Sequence, residues 1–141
     1  MAEAPTAMVD RVVLVMGAFT GAQPGMSLAE VTEVTGLPRS STHRILQQLV
    51  TSNWLERVGA DYRLGLGIFE IGSLVAHRNR ILAAARPFMQ ELSRPQWVVH
   101  LAILDDTDVV YLDKVGGAFA GRLPSRVGGR LPAHATGVGK V

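Results

Sequence analysis

Residues 27–64 run SLAEVTEVTGLPRSSTHRILQQLVTSNWLERVGADYRL, and this stretch decides the fold of the first half of the chain. Ser27-Leu28-Ala29-Glu30 is a capping box: the Ser27 hydroxyl satisfies the Glu30 N–H, and the Glu30 carboxylate accepts from the Ser27 N–H. A helix therefore starts here, with Leu28, Val31 and Val34 inward. Gly36 after Thr35 is a C-terminal cap signal, and Pro38 suits the first turn of a following helix. Helices joined by so short a Gly-Leu-Pro turn must cross steeply. In the second helix Thr42, Ile45, Leu46 and Leu49 form one inward stripe. Trp54, Leu55, Val58, Tyr62 and Leu64 then form two short strands around the turn Gly59-Ala60-Asp61. This order and spacing is that of a winged helix-turn-helix, a module whose second helix fits the DNA major groove.

The outward face of that second helix carries Arg39, Ser40, Ser41, His43, Arg44, Gln47, Gln48, Thr51 and Ser52. It holds two cations, a histidine and several amides and hydroxyls, but no acid. A solvated helix face ordinarily mixes acids with bases, and exposed Ser and Thr lower helix propensity. Arginine pairs bidentately with guanine, glutamine with adenine, and serine with phosphates or bases. Arg57 and Arg63, on opposite arms of the hairpin, are expected to face a phosphate backbone; the alternative is cross-strand pairing with Glu56 or Asp61. The expected DNA-binding set is thus Arg39, Ser40, Ser41, His43, Arg44, Gln47, Gln48, Arg57 and Arg63.

Composition bounds the answer without deciding it. The 141 residues are 48% hydrophobic, enough for one ordinary domain or two small ones. No cysteine is present, so disulfide frameworks, zinc fingers and thiol chemistry are excluded. Residues 1–80 carry seven arginines (11, 39, 44, 57, 63, 78, 80) against seven acids (3, 10, 30, 33, 56, 61, 70), so any phosphate affinity rests on local placement. The early apolar run Val12 to Phe19 is far short of the ~20 residues of a membrane span. Glu3 and Asp10 do not suit a basic leader, so no membrane partner and a cytoplasmic location are expected.

The expected architecture is α+β. Residues 1–7 read as a disordered tail, 8–65 as the winged helix-turn-helix, 66–80 as a linker helix, and 81–141 as an incomplete α/β effector-type domain with antiparallel strands. The first helix spans Met8 to Thr20. Val9, Val12, Val13, Met16 and Phe19 or Thr20 make one apolar stripe, and Leu14, Val15 and Ala18 lie opposite. Such a helix is covered on more than one side, by a second copy of the chain or by an unusually deep core. Leu66 to Asn79 reads as a linking helix, and Leu64 just before it, with Ile68, Ile71 and Val75 within it, follows the spacing of a coiled contact. Arg78, Asn79 and Arg80 mark a boundary, and Ile81 to Ser93 is helical again, bent or restarted at Pro87. Val98–Leu104 and Asp108–Val115 form a hairpin, with a third strand expected at Arg122–Pro124 and a Gly/Pro-rich loop from Ser125.

The segments GLPRSSTHRILQQLVTSNWLER, YRLGLGIFEIG, ARPFMQEL, VHLAILDDTDVVYLDKV and RLPSRVGGRLPAHATGVGK occur in the order found in the IclR (isocitrate lyase regulator-like) family of bacterial transcriptional regulators. The chain resembles that family over most of residues 9–140. The resemblance implies a DNA-binding domain, a linker helix and an effector domain with a curved antiparallel sheet. It also implies dimers or tetramers on palindromic double-stranded DNA operators, acting as repressors or activators, and a small organic-acid effector. By resemblance, Arg39, Ser40, Ser41, His43 and Arg44 open the recognition helix and the Arg57–Arg63 hairpin is the wing. The loop residues Gly128, Gly129, Ala133, His134, Ala135, Thr136 and Gly137 would belong to the effector pocket, where Gly-Gly permits N–H groups to converge on an anion. Two departures stand out. Ser-Arg-Pro-Gln-Trp replaces a longer Thr-Gly-Glu type segment before the first effector-domain strand, and the chain ends at Val141 where the family's next helix begins. Effector sensing is therefore expected to be lost or incomplete.

No catalytic chemistry emerges. Gly139-Lys140 lacks the flanking residues of a phosphate-binding loop, because position 134 is His and 141 is Val. Gly65-x-Gly67 is followed by Glu70 where a third glycine belongs. The four histidines have no partner at metal-ligand spacing. Asp105, Asp106 and Asp108 read as a solvated turn, not a metal loop. The chain is read as a non-enzyme with no cofactor or metal. The alternative function is a protein-interaction or dominant-negative dimerisation module.

Overall fold

The computed structural model describes residues 7–21, 23–117 and 120–141. The expected tail, apart from Ala7, lies outside them. The chain divides into two compact units between Ser73 and Leu74.

In the first unit α1 (Met8–Ala18) leads to β1 (Met26–Ser27), α2 (Leu28–Thr35), α3 (Arg39–Thr51), β2 (Leu55–Val58) and β3 (Asp61–Leu64), followed by the start of α4 (Leu66–Arg78). The strands form an antiparallel sheet in the order β1-β3-β2. The fold is α+β, a three-helix unit with a hairpin wing. The capping box forms as read: Ser27 N–H donates to Glu30 Oε2 at 2.7 Å, and Glu30 N–H to Ser27 Oγ at 3.3 Å. These contacts hold the Glu30 carboxyl below its ordinary range, the Ser27 backbone N–H first and its hydroxyl second. Gly36 closes α2 at φ 64°, a left-handed conformation a side chain would resist. β1 went unread in the sequence; it is only two residues long, and Met26 pairs with Tyr62 across it.

The core gathers Val15, Phe19, Met26, Val31, Leu37, Ile45, Leu46, Leu49, Leu55 and Tyr62. The inward stripe of α3 is as expected, with Thr42, Ile45, Leu46 and Leu49 all buried. Two assignments change. Val34 is 63% exposed, so α2 turns Leu28 and Val31, but not Val34, toward the core. In α1 the packed face is Val12, Val15, Met16 and Phe19, a spacing of three, one and three that follows the helical period. Val9 and Val13, placed on that stripe by the sequence, are 71% and 64% exposed. The deep-core alternative for α1 is thereby overturned within a single chain.

α4 buries none of its residues, and Leu66, Phe69, Ile71, Leu74 and Val75 are all exposed. The division between units falls inside this helix, ahead of the Arg78-Asn79-Arg80 break.

In the second unit α5 (Arg80–Leu92) is capped by Asn79, whose side chain accepts from the Leu82 N–H at 3.0 Å. It runs unbroken through Pro87, so the expected restart does not occur. Losing one N–H to proline is tolerated while the helix is anchored through buried Leu82 and Met89. β4 (Val98–Asp105) and β5 (Asp108–Gly116) form the expected hairpin, with a register shift between Leu101 and Ala102. The third strand is β6 (Arg130–Pro132), not Arg122–Pro124; residues Ala120–Arg122 make a 3-10 turn instead. β6 pairs with β5 through Val109 and Leu131, giving the order β4-β5-β6. The shortened Ser-Arg-Pro-Gln-Trp segment passes against the end of β5. A Cβ on Gly117 would lie 2.1 Å from the Pro95 carbonyl oxygen, so only glycine permits that approach. Among the described residues no helix is long and apolar enough to cross a membrane.

Candidate nucleic-acid interface

The N-termini of α2 and α3 are built for opposite purposes. α2 begins with a reciprocal cap and an acid in its first turn, so the Glu30 N–H is satisfied by Ser27 and the Glu30 carboxylate is returned to the Ser27 N–H. α3 begins at Pro38 with no side-chain cap and no acid in its first turn. The first-turn N–H groups of Arg39, Ser40 and Ser41 have no carbonyl within the helix to bond. With the partial positive charge of the helix end, they favour an anion.

Beyond that end, Arg39, Ser40, His43, Arg44 and Gln48 are exposed, and Ser41 and Gln47 are half-buried. The expected residues of α3 are therefore brought together on one face. Gln47 is partly committed elsewhere: its amide donates to the Tyr62 hydroxyl at 3.2 Å and approaches His43 Nε2 at 3.5 Å. This link ties the helix to β3 and fixes the angle between helix and hairpin. Sequence spacing could not reveal it, because the two residues are fifteen apart.

The hairpin separates the two arginines expected to act together. Leu55 pairs with Leu64, Glu56 with Arg63, and Arg57 with Tyr62. Directly paired residues share a face, so Arg57 lies on the Tyr62 face and Arg63 on the other. Arg57 is held in place: its Nε donates to the Gly59 carbonyl at 3.2 Å, and its guanidinium lies 5.9 Å from the Tyr62 ring centroid. Arg63 instead crosses Gly25, where a Cβ would come within 2.9 Å of its Cγ. Its Nε is buried and lacks a hydrogen-bond partner among the described residues. The expectation that both arginines face one backbone is corrected by the strand register.

A second site lies in the second unit. A cavity of about 210 Å³ is lined by His100, Tyr111, Leu131 and Ser125, with Ala135, Thr136 and Gly137 from the loop singled out in the sequence. Ala133 and His134 are not in its wall. Gly128 and Gly129 do not converge on an anion: their N–H groups donate to the carbonyls of Tyr111 (2.8 Å) and Arg126 (2.8 Å). The polar centre was missed in the sequence. His100 Nε2 lies 2.7 Å from Ser125 Oγ, and Lys114 Nζ donates to the Ser125 carbonyl at 2.6 Å. His100 also meets Tyr111 edge-on, with centroids 5.2 Å apart. Partial burial first, and Lys114 second, hold the His100 imidazole below its ordinary value. The aspartates at the hairpin tip are not merely solvated: Arg130 bonds Asp105 and lies 3.5 Å from Asp108.

Comparison with known proteins places these sites in context. The model of the IclR helix-turn-helix domain matches residues 8–59, and that of the bacterial transcriptional regulator IclR C-terminal domain matches residues 73–141. The chain is 32% identical over 136 residues to the HTH-type transcriptional regulator XynR of Escherichia coli, covering 94% of this chain and 54% of that protein. It is 36% identical over 115 residues to the HTH-type transcriptional regulator KipR of Bacillus subtilis, covering 80% of this chain and 46% of that one. The chain thus spans about half the length of these relatives. Among solved structures, an IclR homolog from Microbacterium hydrocarbonoxydans complexed with 4-hydroxybenzoate superposes with a TM-score of 0.78 at 28% identity, over 94% of this chain and 56% of that chain.

Proposed function

This chain belongs to the IclR family of bacterial transcriptional regulators, and we propose from that premise that it binds double-stranded DNA in the cytoplasm as a dimer, reading a palindromic operator with α3. One observation carries the reading: the outward face of α3 is free of acids and begins at an uncapped helix end. Arg39 and the first-turn N–H groups serve phosphates. Ser40, Ser41, His43, Arg44 and Gln48 are placed for base edges, and Gln47 positions the helix against the hairpin. Arg57, held over Tyr62, serves the backbone beside the groove. A two-fold operator requires two copies of α3, and the exposed apolar side chains of α1 and α4 are the surfaces to join them.

The experiment is a salt series on duplexes selected from a random pool by the purified chain. Operator binding weakens steeply as salt rises, because phosphate contacts release counterions. Failure to enrich any duplex, or binding indifferent to salt, favours the protein-interaction alternative. The cavity at His100, Tyr111, Ser125 and Thr136 is this chain's contribution to an effector pocket. Its mixed apolar and hydroxyl lining suits a small organic acid, the class of the 4-hydroxybenzoate held by the structural neighbour.

A further inference from the structure

Tyr62 is buried, yet Gln47 of α3 and Arg57 of the hairpin both converge on it. Its side chain is only 2% exposed and belongs to the first core, so the position of its hydroxyl is set by packing. Gln47 Nε2 donates to that hydroxyl at 3.2 Å and lies 3.5 Å from His43 Nε2, one turn earlier on α3. A primary amide carries two N–H donors, which matches an acceptor on either side of one nitrogen. Tyr62, half-buried Gln47 and exposed His43 thus form a chain that leads from the core to the outward face of α3. The Tyr62 ring meanwhile faces the Arg57 guanidinium, 5.9 Å from its centroid.

A side chain discriminates between bases only when it is held in one orientation, and an unsupported imidazole on a helix surface samples several rotamers. Support from behind removes that freedom before DNA arrives, so less entropy is lost on binding. We infer that Tyr62 is a positioning residue for base reading: its hydroxyl, acting through the Gln47 amide, fixes the orientation of the His43 imidazole, while its ring separately seats Arg57. Hydroxyl and ring then serve different contacts, the first sequence preference and the second the phosphate backbone. The inference rests on the DNA-binding reading of α3 and adds to it a residue of β3 that touches no base.

The test uses the full chain on its selected duplex and on single-base variants of that duplex, with affinity measured by fluorescence anisotropy over a salt series. Tyr62→Phe keeps the ring and removes the hydroxyl. It is expected to cut discrimination about 3- to 10-fold, in the lower part of the range for neighbouring coupled residues, at the base pair that His43→Ala also affects. The slope of log K against log salt should stay at the wild-type value, because Arg57 keeps its seat. Gln47→Leu breaks the same chain from α3 without touching the buried ring, and should relax the same base pair. In a His43→Ala background neither change should relax it further. Thermal unfolding checks that each variant is folded; if Tyr62→Phe is not, Gln47→Leu alone and with His43→Ala decides the matter. Undiminished discrimination in a folded variant overturns the inference. So does an equal loss at every base pair that persists with His43→Ala, which would make the hydroxyl a structural tie only. A wild-type chain with no salt-dependent binding removes the DNA-binding reading itself, and this inference with it.

Discussion

The two units are stabilised by different physics. In the first, ten buried hydrophobic residues form one contiguous cluster. Its one buried polar side chain among the described residues, Thr42, bonds back locally to the Pro38 carbonyl, and the other polar contacts sit at the margins as caps and a helix-to-hairpin tie. In the second, buried apolar positions such as Leu82, Met89, Val109 and Tyr111 are joined by buried Ser125 and Thr136. Polar ties span its elements: His100 to Ser125, Lys114 to Ser125, Arg86 to Asp113 at 3.3 Å, and Arg130 to Asp105. Burial of apolar surface is indifferent to moderate pH and salt, whereas charged ties are sensitive to both.

The sharpest way to break this contrast is to make the same kind of cavity in each unit. Leu46→Ala, at a fully buried site, is expected to cost the first unit toward the upper part of the ~2–5 kcal/mol range for such truncations. Met89→Ala is expected at the lower end, because exposed neighbours on α5 leave room to relax. Urea unfolding followed through Trp54 for the first unit, and amide exchange of β4 and β5 for the second, measures both. Equal losses would erase the distinction.

A smaller effect is expected at the margin of the first core. Ser27→Ala removes the reciprocal cap of α2 and should cost about 1 kcal/mol, read from the urea midpoint. Arg39, at the open start of α3, offers the converse: Arg39→Ala should leave the midpoint nearly unchanged while weakening DNA binding. A large loss of stability in Arg39→Ala would mean that the α3 end is structural.

The smallest expected effect concerns pH. His100 has a depressed pKa in the folded chain, so the unfolded chain takes up the proton first as pH falls. Its stabilising contribution is full above the ordinary value of 6.5 and is lost as pH falls through the lower folded value. Amide protection of the second unit should therefore decline on mild acidification, and His100→Gln should flatten that decline. Parallel pH profiles for the two proteins would remove His100 from the account.

Local signals in the sequence were legible, and long-range ones were not. The Ser27–Glu30 cap, the Gly36 stop and the inward stripe of α3 each depend on residues within one or two turns. β1 carries no periodicity in two residues, and its pairing with Tyr62 is non-local. The third strand of the second sheet was misplaced because Arg130–Pro132 is chosen by its partners on β5, a constraint invisible in a Gly/Pro-rich segment. The faces of α1 were ambiguous for a related reason: Val9, Val13 and Val15 are equally apolar, and only packing separates buried Val15 from the others. At the candidate site, residue types on α3 were readable from composition. The splitting of Arg57 from Arg63 required the register, and the His100–Ser125 contact joins residues twenty-five apart.

The central claim, that the acid-free face of α3 reads bases while the hairpin holds the backbone, is tested most directly by binding-site selection with wild type, Arg44→Ala and Arg57→Ala side by side. Arg44→Ala is expected to lose about 1–3 kcal/mol and to relax preference at one position of each half-site, whereas Arg57→Ala should weaken all sequences alike. Equal loss in both variants with an unchanged selected motif would contradict the claim.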